Sequence, residues 1–262
     1  MFNKKQLVVC LCILLAAFYA CFYENVKPSE RKHLPEQNSA QKESPHKPKP
    51  AEADELMPIE IIHQIPTQRK SIALTFDDGP DPVFTGQVLK VLRKHHASAT
   101  FFLIGHHAEQ YPKIAAQIVS DGNETGVHSY DHKALHHLPC SEVQNQVNKT
   151  YDIIYKATSH KPVLFRPPFG FYNNSVLKAA GEKKMKMILW TPEADPKDYK
   201  NPGTSRIVKQ LVRNAKPGMI ILLHDSGRDR KQTVAAIDRV MTILEVKGYR
   251  FQTVSDILKN KN

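Results

Sequence analysis

Seven short runs of apolar residues recur between residues 71 and 254, and polar residues end or follow most of them. Runs of this length, bounded by polar residues and turn formers, are typical of strands that are buried on both faces. We therefore predict seven strands, at residues 71–76, 100–104, 124–128, 163–166, 186–190, 219–224 and 250–254.

Helical periodicity fills the intervals between these runs. Three stretches repeat apolar residues at helical spacing, so that each forms one apolar face. The faces are Val143, Val147, Tyr151 and Ile154; Ile207, Val208, Leu211 and Val212; and Val234, Ile237, Met241 and Leu244. Strands that alternate with helices predict an α/β fold, whose parallel sheet is either closed as a barrel or open and doubly wound.

The first 23 residues have a different pattern. Lys4 and Lys5 precede an uncharged apolar run over residues 7–23, and a membrane-spanning helix needs ~17–25 such residues. Three interpretations stay open: an uncleaved anchor with its basic end inside, a cleaved signal peptide, or lipidation at Cys21, which follows "LAAFYA". All three predict an extracytoplasmic protein that is membrane-anchored or secreted.

Residues 24–66 are rich in Pro, Lys, Glu, Gln and Ser. That composition predicts a flexible linker, with one domain at residues 67–262. A short strand at residues 58–66 is an additional expectation at the edge of that domain.

Charge restricts the partners of the domain. The chain has 262 residues and a net charge of +11, and residues 1–66 contribute none of that charge because their acidic and basic residues balance. A basic domain favours anionic partners, but no helix-turn-helix or zinc-finger spacing is present, so nucleic acid is not expected.

Cys140 is the only cysteine after residue 21. We expect it to be a small packed residue, and we expect the protein to be a monomer.

Chemistry-bearing side chains gather at the ends of the predicted strands. In parallel α/β folds the carboxyl ends of the strands form the functional face. Residues that follow or end these strands therefore predict one shared site: Asp77, Asp78, His128, Arg166, Asp195, Asp198 and His224.

Two of these groups predict a metal site. "HSYDH" puts His128 and His132 four residues apart, and two imidazoles with one carboxylate form a common catalytic metal set that leaves positions for water. Asp77 and Asp78 are adjacent carboxylates that repel each other unless a cation is near. One Asp is then expected to ligate, and the other to act as a base.

Four motifs occur in the order found in a known family. "TFDDG" at 75–79, "HSYDH" at 128–132, "RPPFG" at 166–170 and "LLH" at 222–224 resemble the polysaccharide deacetylases with a NodB homology domain, carbohydrate esterase family 4. The resemblance covers about residues 67–262. It implies a distorted (β/α) barrel of about seven parallel strands.

The resemblance also implies roles for the motif residues. Asp77 looks like the catalytic base, and Asp78, His128 and His132 look like ligands of a divalent metal, with Ser129 holding their loop. Arg166 orients Asp77, and His224 looks like the general acid. Phe169 lines the sugar groove, and Leu222 forms the wall of the pocket for the acetyl methyl group.

The fourth motif departs from the usual form, in which Asp-Trp follows the fifth strand. Here the sequence is "WTPEADPKDYKNPG" at 190–203, so that Tyr199 stands at the Trp position. Asp198 is then the residue that polarises His224, and Asp195 is a competing candidate. Tyr199 becomes part of the substrate wall.

These roles imply a metal-dependent hydrolase that removes N-acetyl groups from cell-wall glycan. We expect peptidoglycan N-acetylglucosamine or N-acetylmuramic acid as the substrate, with chitooligosaccharide and acetylxylan as alternatives. A catalytically silent glycan-binding module is the alternative from another class. The ligand types favour zinc, with cobalt or another divalent ion as alternatives.

Overall fold

The structure is a computed structural model that describes residues 59–260. Its single sheet contains eight strands, in the order β1-β6-β5-β4-β3-β2-β7, and β8 also pairs with β2. All of these strand pairings are parallel. The strands are β1 Ile61–Ile62, β2 Ser71–Asp77, β3 Thr100–Leu103, β4 Glu124–Val127, β5 Leu164–Phe165, β6 Lys186–Ile188, β7 Ile220–His224 and β8 Arg250–Phe251.

Helices and turns connect the strands. The helices are α1 Phe84–Lys94, α2 Gly105–Gln110, α3 Pro112–Ser120, α4 Cys140–Thr158, α5 Asn174–Glu182, α6 Thr204–Asn214, α7 Lys231–Val246 and α8 Val254–Lys259. The three predicted apolar faces lie on α4, α6 and α7, and their buried positions contribute to one large core cluster. Alternation of strand and helix therefore gave the correct α/β class.

The two edges of the sheet meet. Gln64, just after β1, forms an antiparallel bridge with Met219, just before β7. The Ile65 N–H also donates to the Gly218 carbonyl at 2.9 Å. The sheet is therefore a distorted barrel, as the resemblance implied, and the open doubly wound alternative is wrong.

The pleat of β2 decides which side chains enter the barrel. Ile72, Leu74 and Phe76 belong to the core between sheet and helices, whereas Ala73 belongs to a second cluster inside the barrel. Side chains alternate faces along a strand, so Asp77 shares the inner face with Ala73. The base candidate thus lies at the carboxyl end of the barrel.

The beginning of the folded unit differs from the prediction. The expected edge strand is present as β1, and Ile65 is completely buried. Residues 59–66 therefore belong to the folded unit, and the predicted boundary at residue 67 comes too late. A two-residue strand offers too little periodicity to be distinguished from a linker.

Two further predictions concern Cys140 and the N-terminus. Cys140 is exposed at the first position of α4, so the prediction that it is packed is wrong, because the apolar face of that helix begins only at Val143. The predicted anchor at residues 1–23 lies outside the described residues, as does most of the predicted linker. Between residues 59 and 260, no helix has the length and apolarity needed to span a bilayer.

Candidate active site

The carboxyl end of β2 is the centre of the site. Asp77 is the last residue of β2, and in the sheet register it lies opposite Phe102 of β3 and His224 of β7. Asp78 follows directly. Parallel strands bring their carboxyl ends to one edge, so residues that are far apart in sequence meet here.

Asp78, His128 and His132 form a cluster that fits a metal ion. One ligand atom from each lies within 4.8 Å of the other two. The Nε2 atoms of His132 and His128 are 3.3 Å and 3.6 Å from Asp78 Oδ1. That oxygen is buried and has no hydrogen-bond partner. A buried, unpartnered carboxylate oxygen faced by two imidazoles has the donor set of a catalytic site for a divalent metal.

Hydrogen bonds select the tautomer of the first histidine ligand. His128 Nδ1 donates to the Arg166 carbonyl at 2.7 Å, so its Nε2 keeps the lone pair that faces Asp78. Burial, followed by the charge of His128, lowers the pKa of His132 and outweighs the opposite effect of Asp78. The lowered pKa favours the neutral His132 ring, the form that binds metal.

Unusual backbone conformations aim these ligands. Asp78, Ser129 and His132 have φ angles of 77°, 62° and 59°, in the left-handed region that side chains rarely adopt. Each such residue costs on the order of 1–3 kcal/mol, which surrounding contacts must offset. Ser129 Oγ accepts from the His132 N–H at 3.1 Å, the contact that the resemblance implied for it.

Two residues that the sequence did not single out support the segments that carry the predicted ligands. His107 Nδ1 donates to the Asp78 carbonyl at 2.7 Å. Gln146 of α4 accepts from the N–H groups of Tyr130 and Asp131 at 2.8 Å and 3.2 Å. The sequence shows His107 only as half of one of three "HH" pairs, and Gln146 carries no motif.

Arg166 is completely buried and donates hydrogen bonds through all three of its side-chain nitrogens. Its Nη1 donates to Asp77 Oδ1 at 2.7 Å and to Thr75 Oγ1 at 2.8 Å. Its Nε and Nη2 donate to the carbonyls of Ile188 and Leu189, each at 3.0 Å. Burial lowers the pKa of Arg166, and the charge and hydrogen bond of Asp77 oppose that shift. The guanidinium therefore fixes one oxygen of Asp77 and leaves the other for chemistry.

His224 is bound to Asp198, not to Asp195. His224 Nδ1 donates to Asp198 Oδ1 at 2.7 Å, and the His224 N–H donates to Oδ2 at 3.0 Å. Thr233, which the sequence did not single out, donates to the same Oδ2 at 2.8 Å. Asp195 instead binds the N–H and Nζ of Lys197 at 2.9 Å and 2.6 Å. The choice that the sequence left open is therefore decided by geometry.

The pair is strongly ionic. Burial by itself lowers the pKa of His224, but the hydrogen bond and charge of Asp198, with smaller contributions from Asp78 and Asp77, raise it to about 9. Burial opposes ionisation of Asp198, yet its bonds to His224 and Thr233 lower its pKa. An imidazolium paired with a carboxylate at neutral pH can donate a proton from its free Nε2.

Aromatic and aliphatic side chains form the walls. The Phe169 ring lies edge-on to His132, with centroids 4.8 Å apart. Tyr199 lies edge-on to His224 at 5.6 Å. Leu222 is two residues before His224 on β7 and therefore faces the same side of the sheet. The structure thus brings the predicted ligands, base, acid and wall residues to one end of the barrel, and Asp195 binds Lys197 instead of His224.

The position of the Asp225 carboxylate explains why residue 79, the last of "TFDDG", is a glycine. A Cβ at Gly79 would lie 2.6 Å from both carboxylate oxygens of Asp225, so no larger residue fits. Asp225 is completely buried and accepts from Thr85 Oγ1 at 2.5 Å. Burial, together with the charges of Asp78 and Asp81, raises its pKa to about 7. The sequence gave no signal for Asp225 beyond its place after His224.

Comparison with known proteins agrees with this geometry. The polysaccharide deacetylase family profile matches residues 64–188. A peptidoglycan-N-acetylglucosamine deacetylase of Bacillus cereus is 42% identical, with 77% of this chain and 94% of that protein covered. A peptidoglycan-N-acetylmuramic acid deacetylase of Bacillus subtilis is 38% identical; the match covers 72% of this chain but only 39% of that longer protein.

A solved structure extends the comparison to three dimensions. It is that of a CE4 family pseudoenzyme from Bacillus anthracis, 30% identical, with a TM-score of 0.71 over 77% of this chain and 70% of that chain. The fold, the ordered motifs and the near-complete match to the Bacillus cereus protein agree. The chain belongs to the polysaccharide deacetylase family.

Proposed function

We propose that the chain is a zinc-dependent deacetylase that removes N-acetyl groups from peptidoglycan N-acetylglucosamine or N-acetylmuramic acid. The observation that carries the proposal is the placement of two different proton-transfer groups around one metal cluster. Asp77 is fixed by Arg166, and His224 is paired with Asp198. A hydrolase of an amide needs a base for water and an acid for the leaving amine.

Asp78, His128 and His132 would hold the metal, since their donor atoms converge and Asp78 Oδ1 has no other partner. A bound divalent ion polarises an amide carbonyl and lowers the pKa of water at the site. Two imidazoles with one carboxylate favour zinc, and cobalt is a weaker alternative.

The remaining chemistry falls to the chain's own side chains. Asp77 Oδ1 is occupied by Arg166, so Oδ2, on the side of His128 at 3.8 Å from its Nε2, accepts the proton of the attacking water. His224 gives its Nε2 proton to the departing sugar amine, because Asp198 holds Nδ1. Leu222 forms an apolar wall for the acetyl methyl group. The products are acetate and a free amino sugar.

The substrate assignment has two supports. Two relatives, 42% and 38% identical, are named for peptidoglycan sugars, and the net charge of +11 suits an anionic cell wall. Other relatives are named chitooligosaccharide deacetylases, so soluble chitin oligomers are the principal competing substrate.

The test is mass spectrometry of peptidoglycan fragments before and after treatment with the zinc-loaded full chain. The expected result is a loss of one acetyl group, assigned to one of the two amino sugars by fragmentation. Acetylxylan and chitooligosaccharides are treated in parallel. Release of acetate from either of these, with unchanged peptidoglycan, would contradict the substrate assignment.

A silent glycan-binding module is the second candidate, and the pseudoenzyme among the similar structures favours it. That similarity makes family membership alone an insufficient argument for activity. The presence of Asp77, Asp78, both histidine ligands and His224 in one cluster argues against silence here. Stoichiometric zinc without acetate release from any of the tested glycans would support the silent module instead.

We also propose that residues 1–23 place the chain outside the cytoplasm and that residues 24–58 tether the domain. Supporting this are the Lys4-Lys5 start and the uncharged run over residues 7–23. Cell fractionation of the wild type and Cys21→Ser separates the alternatives. Release of only the variant from the membrane supports lipidation, whereas membrane association of both supports an anchor. Secretion of both supports a cleaved signal.

A further inference from the structure

Exposed aromatic side chains concentrate beside the site. Within residues 59–260, five aromatic residues are largely exposed: Tyr155, Phe169, Phe171, Tyr172 and Tyr199. Four of the five lie in the two loops that border the metal cluster and His224. Leaving large apolar side chains exposed to water costs free energy. A cluster of such side chains on the surface therefore marks a binding surface.

Phe171 and Tyr172, which we call the aromatic shelf, lie beyond the residues assigned to the reaction. Phe171 is 58% exposed and Tyr172 is 39% exposed. Only Gly170 separates Phe171 from Phe169, whose ring touches the metal ligand His132. Since consecutive Cα atoms are ~3.8 Å apart, the shelf begins within ~8 Å of Phe169, about the reach of a neighbouring sugar ring.

Contacts on both sides hold the shelf in place. The Phe171 ring lies 5.1 Å from the His136 ring, and Asn173 Nδ2 donates to the His136 carbonyl at 3.1 Å. On the other side a Cβ at Gly170 would lie 2.8 Å from the Trp190 ring, so this turn is packed tightly against Trp190. An exposed ring that is already fixed loses little conformational entropy when a ligand covers it.

We propose that the aromatic shelf binds the pyranose ring next to the sugar that is deacetylated, within the same glycan strand. The inference rests on the proposed function and deepens it, because it makes a polymer rather than a single amino sugar the preferred substrate. The apolar C–H face of a pyranose fits the face of an aromatic ring, and its hydroxyl groups remain in water.

The two ends of the groove differ in how many exposed aromatic rings they offer. On the His224 side the structure offers one exposed ring, Tyr199, which is 38% exposed. On the His132 side it offers Phe169 and the shelf in succession. The strand is therefore held mainly on the His132 side of the reacting sugar.

The first test is the dependence of kcat/KM on chain length, with N-acetylglucosamine oligomers as the probe. The full-length zinc-loaded wild type is compared with Phe171→Ala and Tyr172→Ala. We expect a roughly threefold to tenfold loss of kcat/KM on the tetramer, and little loss on the N-acetylglucosamine monomer, which has no neighbouring ring to lie on the shelf. Tyr155→Ala, at an exposed aromatic on α4, is the control and should change neither.

The second test measures binding without turnover. Trp190 is the only tryptophan in the chain and packs on Gly170, so its fluorescence reports occupancy of this loop. In an Asp77→Asn background, Phe171→Ala should weaken binding of the tetramer and leave unfolding temperature unchanged. Equal affinity for the tetramer with and without the Phe171 ring would overturn the proposal that the shelf binds a sugar, as would an equal loss of affinity for the tetramer and the monomer.

The two proposals can fail separately. If the wild type releases no acetate from any glycan while Phe171→Ala still weakens tetramer binding, the proposed function is wrong and the shelf stands as a glycan-binding site. If acetate is released with no effect of chain length in any variant, the proposed function stands and the shelf is wrong.

Discussion

The two sides of the pocket are held by different means. On the metal side, main-chain geometry aims the ligands: Asp78, Ser129 and His132 are left-handed, and carbonyl groups orient His128 and His107. On the acid side, His224 is aimed by a side chain, the Asp198 carboxylate, which is delivered from a turn 26 residues earlier.

This difference explains which motif keeps the family's form and which departs from it. A left-handed position and a tight turn restrict every residue around them, so "TFDDG" and "HSYDH" cannot change length without moving the ligands. A carboxylate at the end of a loop can reach the same histidine from loops of different length. The altered fourth motif, with Tyr199 at the Trp position, is therefore compatible with an intact His224–Asp198 pair.

The largest expected effect separates the adjacent acids. Asp77→Ala and Asp78→Ala should each lower kcat by at least ~10²–10⁴. Only Asp78→Ala should lose zinc, because Asp78 Oδ1 faces both histidines and Asp77 is bound to Arg166. Metal content is measured by atomic emission after dialysis. Equal loss of zinc from both variants would show that the division of roles between them is wrong.

Removal of the buried charge that holds Asp77 is the next largest effect. Arg166→Met leaves Asp77 buried without its partner and leaves the Ile188 and Leu189 carbonyls without donors. Breaking a buried pair in this way costs about 3–5 kcal/mol in the free energy of unfolding, measured by urea denaturation. The control is Arg206→Met on the exposed face of α6, which should stay within ~0.5 kcal/mol. A similar value for both variants would contradict the structural role of Arg166.

The pH dependence of kcat tests the acid side, the His224–Asp198 pair. With a pKa raised to about 9, His224 is protonated at neutral pH, and its contribution to stability is complete below 6.5 and is lost as the pH rises through about 9. A metal bound at Asp78 would cancel the contribution of the Asp78 charge to the pKa of His224. Asp198 is then the main group that raises this pKa. Asp198→Asn should move the basic limb of the kcat–pH profile to lower pH. Burial lowers the pKa of His224, and without the Asp198 charge little remains to oppose that shift.

The chain offers a matched control for this experiment. Asp195→Asn removes the competing acid, which binds Lys197 instead of His224. Its pH profile should follow that of the wild type. A shift of the basic limb in Asp195→Asn, with none in Asp198→Asn, would reverse the assignment of the supporting acid.

The two sides also differ in how well the sequence predicted them. Short motifs contain the metal side, so Asp78, His128 and His132 could be recognised before their distances were known. The acid side depends on contacts between distant residues. Nothing in the text "WTPEADPKDYKNPG" indicates that Asp198 is buried and bonded to Thr233, 35 residues later, so the choice between Asp195 and Asp198 stayed open.

The same limit applies to the supporting residues and to the edge of the fold. His107 and Gln146 act through one and two hydrogen bonds to the main chain, and Asp225 acts through its close approach to Gly79. Such contacts leave no periodic pattern in the sequence. Seven strands were predicted because each is a short apolar run bounded by polar residues and turn formers. β1 has two residues, and its partner β6 is more than 120 residues away, so its place in the sheet could not be inferred from spacing.

The smallest expected effect concerns the departure at Tyr199. Tyr199→Trp places the family's usual residue beside His224 while the Asp198 pair stays intact. Because Tyr199 contacts His224 only by its ring edge and is partly exposed, we expect kcat to change by less than about twofold. KM for glycan should fall by a similar factor, since a larger ring adds apolar contact area. Steady-state kinetics at saturating zinc measures both, with Tyr155→Trp on α4 as the control. A loss of kcat beyond tenfold would mean that the acid side tolerates change no better than the metal side, and the contrast between the two would disappear.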